Sequence, residues 1–174
     1  MHMILRTFWI FIKKYLTPKN PAGFNEVTEY TMTVLPTDLD LLWHVNNGMY
    51  FSYMDFGRYN MIFRTGVWDL CLKKGWYSVV AGETIRFKKS LRLWDKFTLQ
   101  TKIVGHDDKY FFILQKFICR GDLMATGLVK ARFLSKKGGT VSTAEVLKEF
   151  DDKFENQAGS LGDEWFALES KYLA

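Results

Sequence analysis

"TDLDLLWHVNNGMY", Thr37 to Tyr50, places two acids, a histidine and two adjacent asparagines between strongly apolar stretches. The residues after it have helical spacing. In "NNGMYFSYMDFGRYNMIFRTG", Met54, Arg58, Met61 and Ile62 recur on one face, as do Tyr50, Tyr53 and Gly57. Few positions carry charge, so the helix is expected to be mostly buried. Asn46 or Asn47 suits its N-cap and Gly66 its C-terminal stop. The polar cluster therefore sits where an otherwise buried helix begins.

Working outward, "EVTEYTMTVLP" alternates and is rich in Thr and Val, which predicts a strand before the cluster. "VWDLCLKKG" predicts a short helix after it. Next come four strand-like runs, "WYSVVAGETIRFKKS", "DKFTLQTKIVGHD", "KYFFILQKFICRG" and "LMATGLVKARFLS". "GHDDK" and "RGD" between them fit hairpin turns. "STAEVLKEF" and "DEWFALESKY" predict two short helices at the end. The order is α+β, an antiparallel sheet wrapped around one long helix. Such a sheet leaves an edge that a second subunit would protect.

The chain has 174 residues, enough for one domain with a substantial core. Aromatic residues reach 17%, which suits either a sheet-rich core or an apolar ligand tunnel. The net charge of +5 favours anionic partners: nucleic acid, a membrane surface or a phosphate-bearing cofactor such as coenzyme A. No zinc-finger, helix-turn-helix or basic-aromatic RNA signature is found, so nucleic acid falls behind. His2, His44 and His106 are scattered and no C-x-x-C pair occurs, so no metal is expected. Cys71 and Cys119 lie in apolar surroundings, which points to free thiols and a reducing compartment, the cytoplasm.

Residues 1–18 form a separate segment by pattern. As a helix, Arg6, Thr7, Lys13 and Lys14 make a narrow polar face and apolar side chains cover the rest, until Pro18 stops it. Between Arg6 and Lys13 only Thr7 to Ile12 lie uninterrupted, far short of the about 20 apolar residues that span a bilayer. The segment lacks a small-residue cleavage site, so no secretory signal is expected. Residues 3–16 read equally as a peripheral membrane helix or as a cap on the protein's own sheet or a partner subunit. The expected organisation is 1–18 amphipathic helix, 24–150 main domain and 151–174 helical tail.

The pattern "D-x-D-x-x-x-H-V-N-N-x-x-Y" followed by "Y-M-D-F-G-R" resembles the hotdog-fold acyl-thioesterases of the 4-hydroxybenzoyl-CoA thioesterase type. With "KKSLRLWDKFTLQTKIVGHDDKYFFI" added, it is most similar to the thioesterase-superfamily-member-six-like branch. The resemblance runs from about Glu26 to about Leu134. It implies a hotdog fold, a homodimer or homotetramer, and an active site at the subunit interface near the start of the central helix. It implies that Asp40, the second acid of D-x-D, is nucleophile or general base. Asn47 falls where some relatives carry histidine. The implied oxyanion donors belong to the turn and helix start, Trp43, His44, Asn46 and Gly48 among them. Trp43 stands where the family usually has glycine. A bulky side chain there would crowd the oxyanion site, close the acyl tunnel or line the pocket. Asp55 stands for the family's helix acid, with Arg58 after it.

The chemistry of these residue types agrees. Thioester hydrolysis needs a base near the carbonyl carbon, donors aimed at the developing oxyanion, and a grip on the thiol-bearing carrier. A helix start supplies unpaired N–H groups and positive partial charge. Asp38 reads as a structural cap of the loop. His44 reads as a hydrogen-bond partner of the turn's carbonyls, since no second His or Cys is near enough in sequence for a dyad. Asn46 reads as the cap and Asn47 as the substrate contact. Tyr50, Tyr53 and Met54 read as core or acyl-pocket wall, and Asp55 and Arg58 as an i, i+3 pair. Arg86, Lys88, Lys89 and Arg92 read as a grip for coenzyme A phosphates, against a solvated strand edge. The expected function is hydrolysis of an acyl-CoA or acyl-carrier-protein thioester, with coenzyme A as part of the substrate and no cofactor. The alternatives are a non-catalytic hotdog dimer that binds acyl thioesters or scaffolds at a membrane, and a hotdog dehydratase. For the latter, four residues should separate Asp and His, whereas five follow Asp38 and three follow Asp40.

Overall fold

The computed structural model describes residues 8, 10, 12, 22–150, 154, 156, 157 and 159–172. Within residues 22–172 the named elements are β1 (Thr28–Thr33), α1 (Asn47–Arg64), α2 (Val67–Lys74), β2 (Trp76–Phe87), β3 (Lys96–His106), β4 (Phe111–Cys119), β5 (Asp122–Ser135), β6 (Thr140–Val141), α3 (Thr143–Leu147) and α4 (Leu161–Tyr172). The strands pair antiparallel in the order β1-β3-β4-β5-β2, with β6 pairing the far end of β5. The sheet curls around α1 as a hotdog fold, in agreement with the sequence.

The alternation of β3, β4 and β5 sends one set of side chains inward against α1, among them Phe97, Leu99, Phe117, Ala125 and Val129. Pairing registers align Thr28, Thr101, Gln115, Gly127 and Ile85 as one row across the sheet. This row mixes small and polar residues, and α1 crosses above it. A Cβ added to Gly57 would meet Leu99, Gln115 and Thr101 at 2.6–2.7 Å, so helix and sheet touch backbone to side chain here. Gln115 cannot move aside freely. Its Nε2 donates to the Met54 carbonyl (3.0 Å) and to Thr101 Oγ1 (3.0 Å), and its Oε1 accepts from Arg58 Nη1 (3.0 Å). Gly127 makes room for the Met54 thioether in the same way, but there the neighbour is a flexible side-chain end.

The two faces of the sheet are covered differently. Helix α4 lies on the outer face, where Trp165 packs over Phe112 and Lys130 Nζ sits 4.7 Å from the Tyr110 ring centroid. Strand β2, twelve residues long, is left as a free edge with Tyr77, Val80 and Phe87 exposed. Of the amphipathic segment 1–18, Phe8, Ile10 and Ile12 are helical, and Ile10 is buried within the core. The rest of that segment, including the polar face that would distinguish a membrane helix, lies outside the described residues. Among the described residues no helix is long and apolar enough to cross a membrane.

Both cysteines are unpaired. Burial pushes the Cys71 thiol up to about 11 and raises that of Cys119 as well. Neither thiol is expected to react with an aromatic disulfide reagent at neutral pH until urea unfolds the chain; rapid labelling of native protein would contradict this packing. Gly57→Ala is expected to lower stability by about 3 kcal/mol, because its methyl displaces a hydrogen-bonded Gln115. Gly127→Ala is expected to cost about 1 kcal/mol, since Met54 can turn aside. Urea midpoints that rank the two variants the other way would refute the assigned contact.

Candidate active site

Between β1 and α1 the chain makes a 3₁₀ turn, Pro36–Asp38, and then a tight loop. The two acids of D-x-D diverge there. Asp38 is buried, and its Oδ2 accepts from Tyr53 Oη (2.7 Å) and the Leu35 N–H (2.8 Å). Its carbonyl takes the Asn46 N–H (2.9 Å), so Asp38 ties the loop to the helix. Asp40 sits two residues on and faces the loop. Its Oδ1 accepts the N–H groups of Leu42 (2.8 Å) and His44 (3.3 Å), while Oδ2 makes no hydrogen bond among the described residues. Backbone bonds from the Asp40 N–H to the His44 carbonyl (2.8 Å) and from the Trp43 N–H to the Asp40 carbonyl (3.1 Å) close the turn. The result is a carboxylate fixed through one oxygen and open at the other.

His44 takes part through its backbone, not through its ring as the sequence suggested. Asn46 is the N-cap, and its side chain accepts the Gly48 N–H at 2.8 Å. Asn47 opens α1 with its side chain exposed and unbonded among the described residues. One charged oxygen and one free amide thus stand within a short stretch of chain, at a helix end where partial positive charge collects.

Trp43 neither crowds nor lines this site within the protomer. Its φ is 61°, in the left-handed region, and its ring stands in solvent. The glycine expected here from the resemblance would have a backbone reason, because a residue with a Cβ pays about 1–2 kcal/mol for that conformation. The sequence shows the substitution but not the torsion behind it.

Tyr50, Tyr53 and Met54 are fully buried in the core. Tyr50 Oη accepts the Leu91 N–H (3.2 Å) and its ring packs edge-on to Phe87 and Phe117, while Tyr53 serves Asp38. The apolar cavity, of about 110 Å³, lies further along α1, between Asp55, Arg58, Tyr59 and Ile62 on the helix and Ser78, Val80 and Phe133 on the sheet. None of the three residues expected as pocket wall lines it. In its wall Arg58 Nη2 bonds both Asp55 (2.5 Å), which also lines the cavity, and Glu83 (2.6 Å). The expected i, i+3 pair exists, but Glu83 of β2, missed in the sequence, completes it. Burial raises the Glu83 pKa, and the Arg58 guanidinium only partly opposes the shift. Only the fold brings residues 25 apart in sequence together, so no local spacing could have revealed Glu83.

The basic run lies at the same end of the molecule as Asp40. His44 bridges to Arg92, and the Val45 N–H donates to the Leu91 carbonyl (3.1 Å). Arg86, Lys88 and Arg92 are exposed and form no ion pair among the described residues, while Lys89 pairs with Asp122 (2.7 Å). Among the described residues no group of three or more His, Cys, Asp or Glu could hold a metal ion.

Known proteins match this architecture. The chain resembles Protein THEM6 of Xenopus laevis, with 38% identity over 103 residues, 59% of this chain and 50% of the relative. It superimposes on the YbaW probable thioesterase of Escherichia coli with a TM-score of 0.65 and 18% identity, covering 70% of this chain and 93% of that one. The gentisyl-coenzyme A thioesterase BH1999 gives a TM-score of 0.63 and 22% identity, covering 70% of this chain and 99% of that one. The chain spans about half the length of the curated relatives it matches. The sequence pattern of the Thioesterase-like superfamily matches residues 34–155, which includes the D-x-D loop, the central helix and the whole of β2 to β5, and the chain belongs to that family.

Proposed function

We propose that this protein hydrolyses an acyl thioester of coenzyme A or an acyl carrier to the free acid and thiol. The observation that carries the proposal is the half-engaged Asp40 carboxylate, anchored by two turn N–H groups through Oδ1 and open at Oδ2, just before a buried helix begins. In this reading Oδ2 takes a proton from water as the water oxygen adds to the carbonyl carbon. The tetrahedral oxyanion is held by the side-chain amide of Asn47, since the N–H groups of Trp43, His44, Asn46 and Gly48, the donors expected from the sequence, are already bonded within the turn and the helix cap. The C–S bond then breaks, and the sulfur leaves as thiol with the proton returned from Asp40. Arg86, Lys88 and Arg92 supply charge for the carrier's phosphates at the same end of the sheet. A phosphopantetheine arm carries phosphate in either carrier, so these cations suit both.

The proposed assembly is a dimer through the β2 edge, an edge too long and too exposed to be left unpaired in solution. Antiparallel pairing of β2 with its copy would set the Phe87 end of one protomer against the Trp76 end of the other. The Phe87 end adjoins the Asp40 turn through Tyr50 and Leu91. The Trp76 end adjoins the cavity mouth at Ser78 and Val80. An acyl group on the Asp40 turn would then enter the cavity of the opposite protomer.

Thiol release from short, long and aromatic acyl-CoAs tests the reaction. Asp40→Asn is expected to lower turnover at least ~100-fold, the scale of a lost acid–base group, with the fold and Tm retained. Equal turnover by wild type and variant would remove Asp40 from the chemistry. A folded wild type inert on every substrate would instead favour a binding protein.

A further inference from the structure

Within the single protomer, four large apolar side chains stand in solvent at the end that carries the Asp40 turn. Leu41 is 98% exposed, Leu42 74%, Trp43 71% and Trp94 62%. They come from two loops laced together by the His44–Arg92 bridge, with the Trp94 N–H donating to the Val34 carbonyl (3.2 Å) at their base. Trp94, like Trp43, has a left-handed backbone, with φ of 65°. Both turns are pinned. Asp40 holds the first, and the second is held by the Asp95 N–H to the Arg92 carbonyl (3.0 Å) and the Arg92 N–H to Asp95 Oδ2 (2.9 Å). The tryptophans are displayed on fixed backbones.

Charge around the tips is mostly positive in what it leaves open. Arg86, Lys88, Arg92 and Lys96 are exposed without an ion pair among the described residues. Of the nearby acids, Asp95 is paired by Arg120 (2.8 Å) and Asp122 by Lys89 (2.7 Å), which leaves the open oxygen of Asp40 against four cations. We infer that these loop tips dock on an anionic lipid surface, with Leu41, Leu42, Trp43 and Trp94 reaching the boundary between headgroups and acyl chains and the free cations meeting the headgroups. Two features select a bilayer over a protein partner. Four side chains on convex tips present on the order of a few hundred Å², enough to mark a contact site but short of the about 800 Å² that a protein partner covers. Tryptophan and leucine ringed by Lys and Arg is also the composition that partitions into a membrane interface. Arg86, Lys88 and Arg92 are also the cations proposed for the carrier's phosphates, so headgroup and carrier compete for them, but docking through these tips requires no hydrolysis and none of residues 3–16.

The test uses the full chain with unilamellar vesicles of phosphatidylcholine alone or mixed with phosphatidylserine. Cosedimentation and quenching of tryptophan emission by brominated lipids are read together. The wild type is expected to bind the anionic vesicles preferentially, with quenching, and less at high salt. Leu42→Ser combined with Trp94→Gly should weaken binding at least ~10-fold and remove most of the quenching, at unchanged circular dichroism. Trp43→Gly, which the left-handed backbone favours, is a second variant that keeps the test open should the first fail to fold. Absence of wild-type binding overturns the inference. So does equal binding and quenching in wild type and variants, which would move the contact to another surface. A fall in sedimentation mass on substitution without lipid would make the patch a contact between copies and also overturn it.

Discussion

The close contact of α1 with the sheet at Gly57 is the constraint on which the rest of the structure depends. A helix resting on a sheet is normally held off by a layer of side chains. Here Gly57 faces Thr101 and Gln115 with no room for a methyl group. That proximity lets Gln115 reach the Met54 carbonyl and lets Arg58 reach Gln115, so the helix is fixed by hydrogen bonds as well as by apolar burial. Such a buried network specifies one register, because any slip of the helix leaves an amide and a guanidinium unpaired. Fixing the helix also fixes its start, and with it the loop that Asp38 ties down through Tyr53.

The two aspartates of D-x-D show how a fixed helix divides labour between like residues. Tyr53 lies on the buried face of α1 and points its hydroxyl at Asp38, which occupies that acid's Oδ2. Asp40 lies past the 3₁₀ turn and, among the described residues, is hydrogen-bonded only within its own loop. One acid holds position and the other keeps an oxygen open. Removing Asp38 would therefore disturb Asp40 indirectly, through the loop that both share.

Much of this was legible in the sequence where local spacing carries the signal. The helix over 47–64 follows from its 3.6-residue pattern, Asn46 is the cap its residue type suggests, and the strands follow from their β-branched and aromatic runs. What stayed hidden depends on long-range contact or on a torsion angle. In sequence Gly57 is one position on a helix face with Tyr50 and Tyr53, and only the register of Thr101 and Gln115 beneath it shows why a side chain does not fit. Tyr50 and Tyr53 have the right chemistry for a pocket wall, but their hydroxyls are used by Leu91 and Asp38, which draws them into the core. The cavity takes its walls from Asp55, Arg58 and Ile62, which helix spacing or motif had marked, and from Val80 and Phe133, which neither marks.

Trp43 and Trp94 belong to the hidden class on both counts. In both turns the backbone enters the left-handed region, where glycine carries no penalty and tryptophan does. Neither ring is recovered by burial, since both are mostly exposed. Within the protomer each is thus doubly unfavourable, in backbone strain and in hydrated aromatic surface, and neither ring makes an aromatic or hydrogen-bond contact among the described residues. A fold held this firmly at Gly57 can carry two such positions at its far end without losing its register. Strain and exposure at the same two residues, on loops joined to each other and to the Asp40 turn, are what a surface looks like when its partner lies outside the chain.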